Sequence, residues 1–364
     1  MSMTVRAAVA YGPNQPLRVE TLTLDRPEAG EVLIEMKAAG LCHTDLTLID
    51  GSRQWPDYPT VLGHEGAGIV LDVGPGVTSV EPGDHVIPGA IPECGDCPAC
   101  RSRWTNLCDT YFKPRRRRPF SKDGHPVKAF VELGTFSTHL VARESQVSKI
   151  RSDAPLDVVC CMGCAGATGL GAVLFTARVE SGTTVVVFGL GGIGCNVVDG
   201  ARLAGATRII GVDTNPSKEA TARIAGLTDF VDPRQVDDIV GHMRDMTGGG
   251  ADYAFECVGS ETLWRQAVEC TRIGWGTAVM VGIPPAASDP VGFRSRSILE
   301  GRRIMGSYIG NVKTRSQLPE LVDWYVEGKL SLDQLITNRL TLDEINDGFA
   351  AMKSGAVLRS VVVF

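Results

Sequence analysis

A chain of 364 residues is longer than one hydrophobic core usually serves, so we expect two domains. Its 36 basic and 42 acidic side chains give a formal net charge of −6, which offers no broad basic face for nucleic acid or anionic lipid. The sequence has neither an apolar run of about 18 residues nor a signal-peptide pattern at its start, so we expect no membrane span and small-molecule chemistry in the cytoplasm.

Two kinds of hydrophobic pattern follow each other along the chain. Residues 1–150 contain short apolar runs, such as EVLIEMKAAG and AGIVLDVG, between glycine and proline turns, which predicts an antiparallel, barrel-like β domain. From about Leu156, apolar strands alternate with helical stretches, as in TTVVVFG, GGIGCNVVDGARLAGA and RIIGVD, which predicts a parallel doubly wound sheet. Near Arg303 this pattern ends, and we expect the remaining strand, helix and strand to rejoin the first domain.

Four cysteines lie close together in ECGDCPACRSRWTNLC, residues 93–108. They are Cys94, Cys97, Cys100 and Cys108. Their spacing of x2, x2, x7 lets four thiolates surround one Zn²⁺ on a short, curved loop. The bacterial iron–sulfur pattern places its fourth cysteine sooner and a proline after it, whereas Asp109 follows the fourth cysteine here. A structural zinc site is therefore predicted, with thiols that bind no metal as an alternative.

Three further candidate ligands lie in separate motifs: Cys42 in GLCHTD, His64 in LGHEGAG and Cys164 in MGCAGATG. Two thiolates and one imidazole leave one position of a tetrahedral zinc open for substrate, which is the arrangement of a catalytic site. Any one of these residues alone would more often be an ordinary core side chain, so the prediction depends on the set. Glu65 either tunes the zinc, serves as an alternative ligand, or is a surface carboxylate.

A nucleotide-binding turn is predicted where VVVFGLGGIG ends a buried strand and opens a helix. Its glycines are Gly189, Gly191, Gly192 and Gly194. The G-x-G-x-x-G spacing lets the backbone approach a pyrophosphate at the helix N-terminus. Asp213, at the end of the next strand, would bind the ribose hydroxyls and repel a 2′-phosphate, so NAD(H) is preferred to NADP(H). Lys218 either reaches the adenosine ribose or faces solvent.

Taken together, these segments resemble those of the zinc-containing, medium-chain alcohol dehydrogenases, and among them the class III type known as glutathione-dependent formaldehyde dehydrogenase. CHTD, GHEGAGIV, the cysteine lobe, VFGLGGIG, IIGVD, FECVG, VGIPP and LRSVVVF occur in the family's order over essentially the whole chain. The resemblance implies a mostly-β, GroES-like catalytic domain at 1–165 and 308–364, and a Rossmann NAD-binding domain at 166–307. It also implies an active site between the domains and a homodimer formed through the edge of the Rossmann sheet.

The resemblance further assigns roles to single residues. It implies that Cys42, His64 and Cys164 bind a catalytic zinc and that the four lobe cysteines bind a structural zinc. Thr44 matches the hydroxyl that takes the alcohol proton and passes it to the nicotinamide ribose, since a hydroxyl can accept and donate in one step. The matches to cofactor contacts are His43 and Arg359 at the pyrophosphate, Thr168 beside the nicotinamide and Val281 at the carboxamide.

Departures from the family pattern concern the substrate pocket. Thr47 stands where a histidine or tyrosine commonly completes the proton relay. Arg53 and Trp55 replace acidic residues of the class III pattern, and Phe112 replaces an arginine that meets the glutathionyl carboxylate, so glutathione adducts are disfavoured. Ala90 replaces a bulkier residue, which should enlarge an apolar pocket. The pocket residues that we predict are Thr47, Trp55, Ala90 and Phe136.

Three functions follow as hypotheses. The leading one is an NAD- and zinc-dependent dehydrogenase that interconverts a primary or aromatic alcohol and its aldehyde. The second is a formaldehyde dehydrogenase that acts on the adduct of a thiol cofactor other than glutathione; the arginines at 115–118 would clamp its anionic groups, unless that run is a solvated loop. The third is a catalytically silent binding protein on a dehydrogenase scaffold.

Overall fold

The computed structural model describes residues 2–53, 57–113, 117–284 and 291–364. The chain separates into two compact units. The first comprises Met1–Cys164, Lys313–Val326 and Ile336–Phe364, and the second comprises Ala165–Val312 and Glu327–Leu335.

The strands of both units are numbered in chain order. They are β1 (Met3–Ala10), β2 (Arg18–Leu24), β3 (Glu31–Gly40), β4 (Thr60–Val61), β5 (Ala67–Val73), β6 (His85–Pro88), β7 (Phe120–Lys122), β8 (His125–Ala129), β9 (His139–Arg143), β10 (Val147–Lys149), β11 (Thr184–Phe188), β12 (Arg208–Val212), β13 (Asp229–Val231), β14 (Tyr253–Glu256), β15 (Thr277–Met280), β16 (Arg303–Gly306), β17 (Ile336–Leu340) and β18 (Arg359–Val363). Most are short, as expected of strands bounded by glycine and proline turns.

The α-helices are numbered in the same way, and short 3₁₀ turns join several of them. They are α1 (His43–Ile49), α2 (Pro98–Arg101), α3 (Leu156–Val159), α4 (Ala165–Gly171), α5 (Gly192–Leu203), α6 (Glu219–Ile224), α7 (Ile239–Met246), α8 (Glu261–Cys270), α9 (Ser295–Leu299), α10 (Leu318–Val326) and α11 (Ile345–Ser354). A π-helical segment, Ala172–Ala177, continues α4.

Strands of the first unit form a small barrel and a larger sheet. The barrel closes in the order β1-β2-β7-β8-β4, and the sheet runs β10-β6-β5-β3-β18-β17 with β9 also paired to β3. Strand β3 is buried along nearly its whole length because β5 covers one edge while β9 and β18 share the other. The last strand of the chain therefore lies beside the segment that leads into Cys42.

The second unit contains a parallel sheet in the order β13-β12-β11-β14-β15-β16. Strand β11, TVVVF, is apolar throughout because helices cover both faces of such a sheet. The strand order reverses between β11 and β14, which is where doubly wound sheets bind ligands, beyond the carboxyl ends of the strands. Both units confirm the predicted fold class.

A short segment of the chain, Glu327–Leu335, belongs to the second unit, although the sequence placed it with the first domain. Asp199 on α5 explains this placement. Its carboxylate, 2% exposed, accepts hydrogen bonds from the Ser331 N–H at 2.6 Å and from the Arg202 guanidinium at 2.6 Å. Residues 308–312 also belong to this unit, because Gly310 packs directly on the backbone of α4.

Within the described residues, no single helix is long and apolar enough to cross a bilayer. One bent pair, 156–163 followed by 165–177, passes that test by length and composition only, and every residue of α4 is buried in the protein.

We expect Asp199→Ala to lower the free energy of unfolding by about 1–3 kcal/mol, because it leaves the partly buried Ser331 N–H without its acceptor. Urea denaturation measures the change, and hydrogen exchange should rise selectively at 327–335. Glu219→Ala, which removes an exposed partner of Arg223, is the control and should change stability by less than about 0.5 kcal/mol. Unchanged exchange at 327–335 would contradict the role given to Asp199.

Candidate metal centres and nucleotide site

The cysteine lobe of the first unit brings its four sulfurs together. The Sγ atoms of Cys94, Cys97, Cys100 and Cys108 all lie within 4.8 Å of one another. Cys94 and Cys100 are 3.9 Å apart, and Cys97 and Cys108 are 3.8 Å apart. Four thiolates at about 2.3 Å from a tetrahedral zinc would be separated by about 3.8 Å. The lobe therefore fits a structural zinc ion, and its sulfurs are too far apart for disulfides.

Local backbone geometry produces this arrangement. Pro98 starts α2 and Cys97 caps it, so that the Cys97 sulfur accepts hydrogen bonds from the backbone N–H groups of Asp109 at 3.5 Å and Cys100 at 3.4 Å. These two bonds lower the pKa of Cys97 to about 6. Gly95 supplies the tight turn with a φ of 84°. A thiolate, which is the form that binds metal, is thus favoured at this position.

The second cluster joins ligands from three separate segments. Cys42 immediately precedes α1, His64 follows β4, and Cys164 lies between a 3₁₀ turn and α4. Together with a carboxylate oxygen of Glu65, their ligand atoms lie within 4.8 Å of one another. Cys42 and His64 are buried, with exposures of 8% and 4%. Cys164 is partly exposed, and a group of two sulfurs, an imidazole and a carboxylate is a donor set suited to zinc.

The Asp45 carboxylate lies on the Nδ1 side of the His64 ring, opposite to Nε2. Its fully buried carboxylate accepts a hydrogen bond from the Gly63 N–H at 2.9 Å, and its second oxygen lies 3.2 Å from His64 Nδ1. The angle between these two groups is too poor for a hydrogen bond, so both atoms are orphaned in the interior. A metal on Nε2 would fix the ring and its tautomer, as a carboxylate–histidine pair usually does at zinc. Burial lowers the pKa of His64, but Asp45 and Cys42 outweigh it and raise that pKa.

Arg359 is the counter-ion of Glu65. Its Nη1 lies 3.0 and 3.1 Å from the two Glu65 oxygens and donates to the Leu41 carbonyl at 2.8 Å. Burial raises the pKa of Glu65, and the Arg359 guanidinium opposes that rise. The structure thus places Arg359, which the resemblance assigns to the cofactor pyrophosphate, in a buried ion pair beside the metal cluster.

The nucleotide-binding turn of the second unit has the predicted strand before it and the predicted helix after it. Gly189 has a φ of 90°, a conformation that favours glycine. A side chain at position 194 would place its Cβ 1.8 Å from the Gly189 carbonyl oxygen. Gly191 caps α5 without a side chain, and Gly192 is the first residue of that helix. The N–H groups at this helix start are therefore available to a phosphate.

Asp213 lies beside this turn at the end of β12. One oxygen accepts hydrogen bonds from the Leu190 N–H at 2.7 Å and from Lys218 Nζ at 2.9 Å, and the other from the Asn215 N–H at 2.8 Å. Lys218 is thus paired with Asp213 and not solvated alone. Two other expected cofactor residues are nearly buried in this unit: Thr168 on α4 and Val281 after β15.

Comparison with known proteins agrees with this geometry. The family model of zinc-binding dehydrogenases matches residues 192–327, and that of the alcohol dehydrogenase GroES-like domain matches residues 28–152. The chain is 46% identical to alcohol dehydrogenase class-3 of Cereibacter sphaeroides, with 100% of each chain covered. It is 44% identical to S-(hydroxymethyl)glutathione dehydrogenase of Paracoccus denitrificans, also over 100% of each.

The chain belongs to the zinc-binding medium-chain alcohol dehydrogenase family. It is an oxidoreductase that acts on CH–OH groups, and NAD and zinc are the cofactors expected for it. Among solved structures, benzyl alcohol dehydrogenase from Acinetobacter calcoaceticus superposes with a TM-score of 0.91 at 30% identity, covering 100% of this chain and 99% of that one.

The residues that we predicted around the substrate of this dehydrogenase lie in different environments, some buried and some exposed. Thr44 and Thr47 lie on α1, where the Thr47 hydroxyl donates to the Thr44 carbonyl at 2.8 Å. Ala90 and Phe136 are both buried, with exposures of 8% and 0%, and Phe136 packs edge-on against Phe349. Trp55 lies outside the described residues. His43, the first residue of α1, is exposed.

Sequence reasoning missed two residues that contact His64. Asp45 was visible in CHTD, since a metal-binding histidine usually donates its other nitrogen to a carboxylate. Phe130 meets the imidazole edge-on, with ring centroids 5.5 Å apart. The local sequence FVELGTF does not indicate whether Phe130 or Phe136 contacts His64. This depends on which ring the backbone of the 3₁₀ turn Phe130–Glu132 directs toward the imidazole.

At the described end of the basic run, Arg117 is bound by acidic side chains, whereas Arg118 is exposed. The Arg117 guanidinium pairs with the carboxylates of Glu28 at 3.0 Å and of Glu31, and it donates to the Arg26 carbonyl at 2.7 Å. Arg115 and Arg116 lie outside the described residues. Phe112 is 67% exposed.

We expect Asp45→Asn to weaken zinc binding at the Cys42 cluster by about 10- to 100-fold, because the amide brings no negative charge to the Nδ1 side of the His64 ring, where the carboxylate lies at 3.2 Å. Chelator competition followed by metal analysis measures this and should show loss of one zinc with the lobe zinc kept. Asp50→Asn, at the exposed end of the same helix, should retain both ions. Equal zinc retention in both variants would contradict the assignment.

Proposed function

We propose that this dehydrogenase interconverts a primary or aromatic alcohol and its aldehyde with NAD as the hydride acceptor. The buried convergence of Cys42, His64, Glu65 and Cys164 is the observation that carries the proposal. Cys42, His64 and Cys164 would hold the catalytic zinc, while Glu65, already paired with Arg359, tunes the centre. When bound, zinc supplies a Lewis acid that lowers the pKa of an alcohol, and NAD supplies the hydride acceptor.

Thr44 is the residue that we propose to take the alcohol proton. It follows Cys42 by two positions at the start of α1, so its hydroxyl is close to the ligand cluster in sequence and in the helix. The Thr47 hydroxyl already donates to the Thr44 carbonyl, so its hydrogen is committed to the helix backbone. Thr44 would therefore pass the proton on to the nicotinamide ribose, and Thr47 would not be the next member of the relay.

Two features support an apolar alcohol. Ala90 carries a small apolar side chain where the family pattern has a bulkier one, which favours a larger apolar pocket. The solved relative from Acinetobacter calcoaceticus is named for benzyl alcohol. Aromatic primary alcohols are accordingly the substrates that we place first.

The relatives favour a second candidate substrate. One is named S-(hydroxymethyl)glutathione dehydrogenase, and class-3 alcohol dehydrogenases are among the others. This supports oxidation of a formaldehyde adduct, with a thiol carrier other than glutathione because Phe112 stands in place of the carboxylate-binding arginine. Arg117 gives this candidate no help, since its charge is already met by three carboxylates, those of Asp25, Glu28 and Glu31.

A substrate panel tests the proposal. We expect benzyl alcohol to be oxidised with a kcat/KM at least about tenfold above that for S-(hydroxymethyl)glutathione, followed by NADH absorbance at about 340 nm. Cys42→Ser should abolish activity on every substrate, whereas Cys270→Ala, which changes a buried cysteine of the second unit, should keep it. Oxidation of a non-glutathione thiol adduct alone would favour the second candidate, and full activity of Cys42→Ser would end both.

We also propose that the protein is a cytoplasmic homodimer. Free thiols throughout the described residues are typical of a reducing compartment. Strand β16 forms the edge of the second unit's sheet, and apolar Ile298, Leu299 and Ile304 are 44%, 87% and 36% exposed around it. An uncovered apolar sheet edge is a surface that pairs readily with another chain.

We expect Ile304→Glu to convert the dimer into a single chain, because it places a charge at the proposed contact. Sedimentation equilibrium measures the mass. The matched control is Leu71→Glu, which changes a 41% exposed apolar residue of the first unit and should leave the dimer intact. A single-chain mass for the parent protein would refute the dimer itself.

A further inference from the structure

One buried carboxylate of the second unit takes no part in the proposed chemistry. Glu256, the last residue of β14, has no exposed surface. Its Oε1 accepts hydrogen bonds from the backbone N–H groups of Val258 at 2.9 Å, Gly259 at 2.8 Å and Ser260 at 3.2 Å. Its Oε2 accepts from the Gly259 N–H at 3.1 Å and from the indole Nε1–H of Trp264 at 2.5 Å. Backbone and indole donors thus surround it.

The carboxylate has no cationic partner among the ion pairs of the described residues. Burial raises the pKa of Glu256, and the N–H donors oppose that rise. Since a buried charge is costly unless it is hydrogen-bonded, and bonds to a charged acceptor are the strong ones, these donors are held firmly. Four of the five bonds come from residues 258–260, so the carboxylate fixes the conformation of that turn.

The 258–260 turn lies between two segments that the cofactor is expected to contact. A Cβ at Gly189, in the nucleotide-binding turn, would lie 2.5 Å from a methyl group of Val258. On the other side, a Cβ at Gly259 would lie 2.2 Å from the Ile283 carbonyl oxygen. The exposed fractions of Val258 and Ile283 are 55% and 60%, so both present apolar surface at this edge.

Backbone bonds of Glu256 tighten the same arrangement. Its carbonyl oxygen accepts from the N–H groups of Val281 at 3.0 Å and Gly282 at 2.9 Å. One residue therefore fixes the stretch after β15 through its backbone and the turn after β14 through its side chain. Both stretches lie at the carboxyl ends of adjacent parallel strands, beside the point where the strand order reverses.

We propose that Glu256 and Trp264 are positioning residues for the nicotinamide cofactor: they fix the 258–260 turn so that Val258 and Ile283 stand at the spacing that the cofactor requires. This inference rests on the proposed NAD-dependent activity. Neither residue touches the reacting atoms. Trp264 contributes by holding Oε2 of Glu256, which leaves Oε1 directed at the three N–H groups of the turn.

The opposite end of β14 offers a matched control. There Asp252 accepts a hydrogen bond from the Trp275 indole at 2.8 Å and from the Thr184 N–H at 2.9 Å. This carboxylate too is bound by one indole and by backbone, but it lies at the amino ends of the strands, is more exposed and also faces Arg272 at 4.0 Å. Trp275→Phe therefore removes an indole–carboxylate bond away from the nucleotide-binding turn.

The experiment compares Trp264→Phe, Glu256→Gln and Trp275→Phe in the full-length protein with its zinc. We expect the Kd for NADH, measured by fluorescence titration, to rise about fivefold in Trp264→Phe and about tenfold or more in Glu256→Gln, as loss of bonds to a charged acceptor implies. The KM for NAD should rise in parallel, while kcat and the KM for the alcohol stay within about twofold. Trp275→Phe should bind NADH like the parent.

A parent-like Kd for NADH in Trp264→Phe and Glu256→Gln, with only a lower melting temperature, would overturn the inference and leave the pair a purely structural cap. If Glu256→Gln does not fold, Trp264→Phe decides alone, since phenylalanine keeps the aromatic packing and removes only the N–H donor. Failure of the parent itself to bind NADH would refute the proposed function instead.

Discussion

The first unit buries a cluster of ionisable side chains in its interior. The rest of this unit depends on how the charges of these side chains are neutralised. Asp45, His64, Glu65 and Arg359 are each less than a tenth exposed, and two cysteine sulfurs lie among them. A buried charge persists only when it is paired or bound to a metal. Asp45 accepts a backbone N–H and lies 3.2 Å from His64 Nδ1, and Glu65 pairs with Arg359, which leaves the sulfurs and the other imidazole nitrogen to a metal ion.

The ion pair of Glu65 with Arg359 links the C-terminal strand to the segment that leads into Cys42. Arg359 begins β18, whose residue Val361 pairs with Gly40 of β3, two residues before Cys42. Gly40 in turn has no room for a side chain, because a Cβ there would lie 2.4 Å from a Glu65 oxygen. The C-terminal strand is therefore part of the candidate metal centre as well as of the sheet.

The second unit neutralises its buried carboxylates in another way. Asp213 binds the backbone N–H groups of Leu190 and Asn215 and the Lys218 ammonium, and Glu256 binds a turn and an indole. Both acids lie at the carboxyl edge of the parallel sheet, and both hold turns beside Gly189. Fixed N–H groups and turns suit an extended dinucleotide, whereas converging sulfur and nitrogen atoms suit a single ion.

The sequence by itself determined the features that depend on neighbouring residues. The spacing of the lobe cysteines, with Pro98 and Gly95 as turns, and the glycines after β11 act over a few positions, so their patterns could be interpreted directly. Only the tertiary structure decided that Asp45 and Phe130 contact His64, that Phe136 lies in the core, that Arg359 pairs with Glu65, and that Arg117 is bound by acids. Such contacts join residues distant in the chain, and their energies depend on burial and distance, which local sequence does not specify.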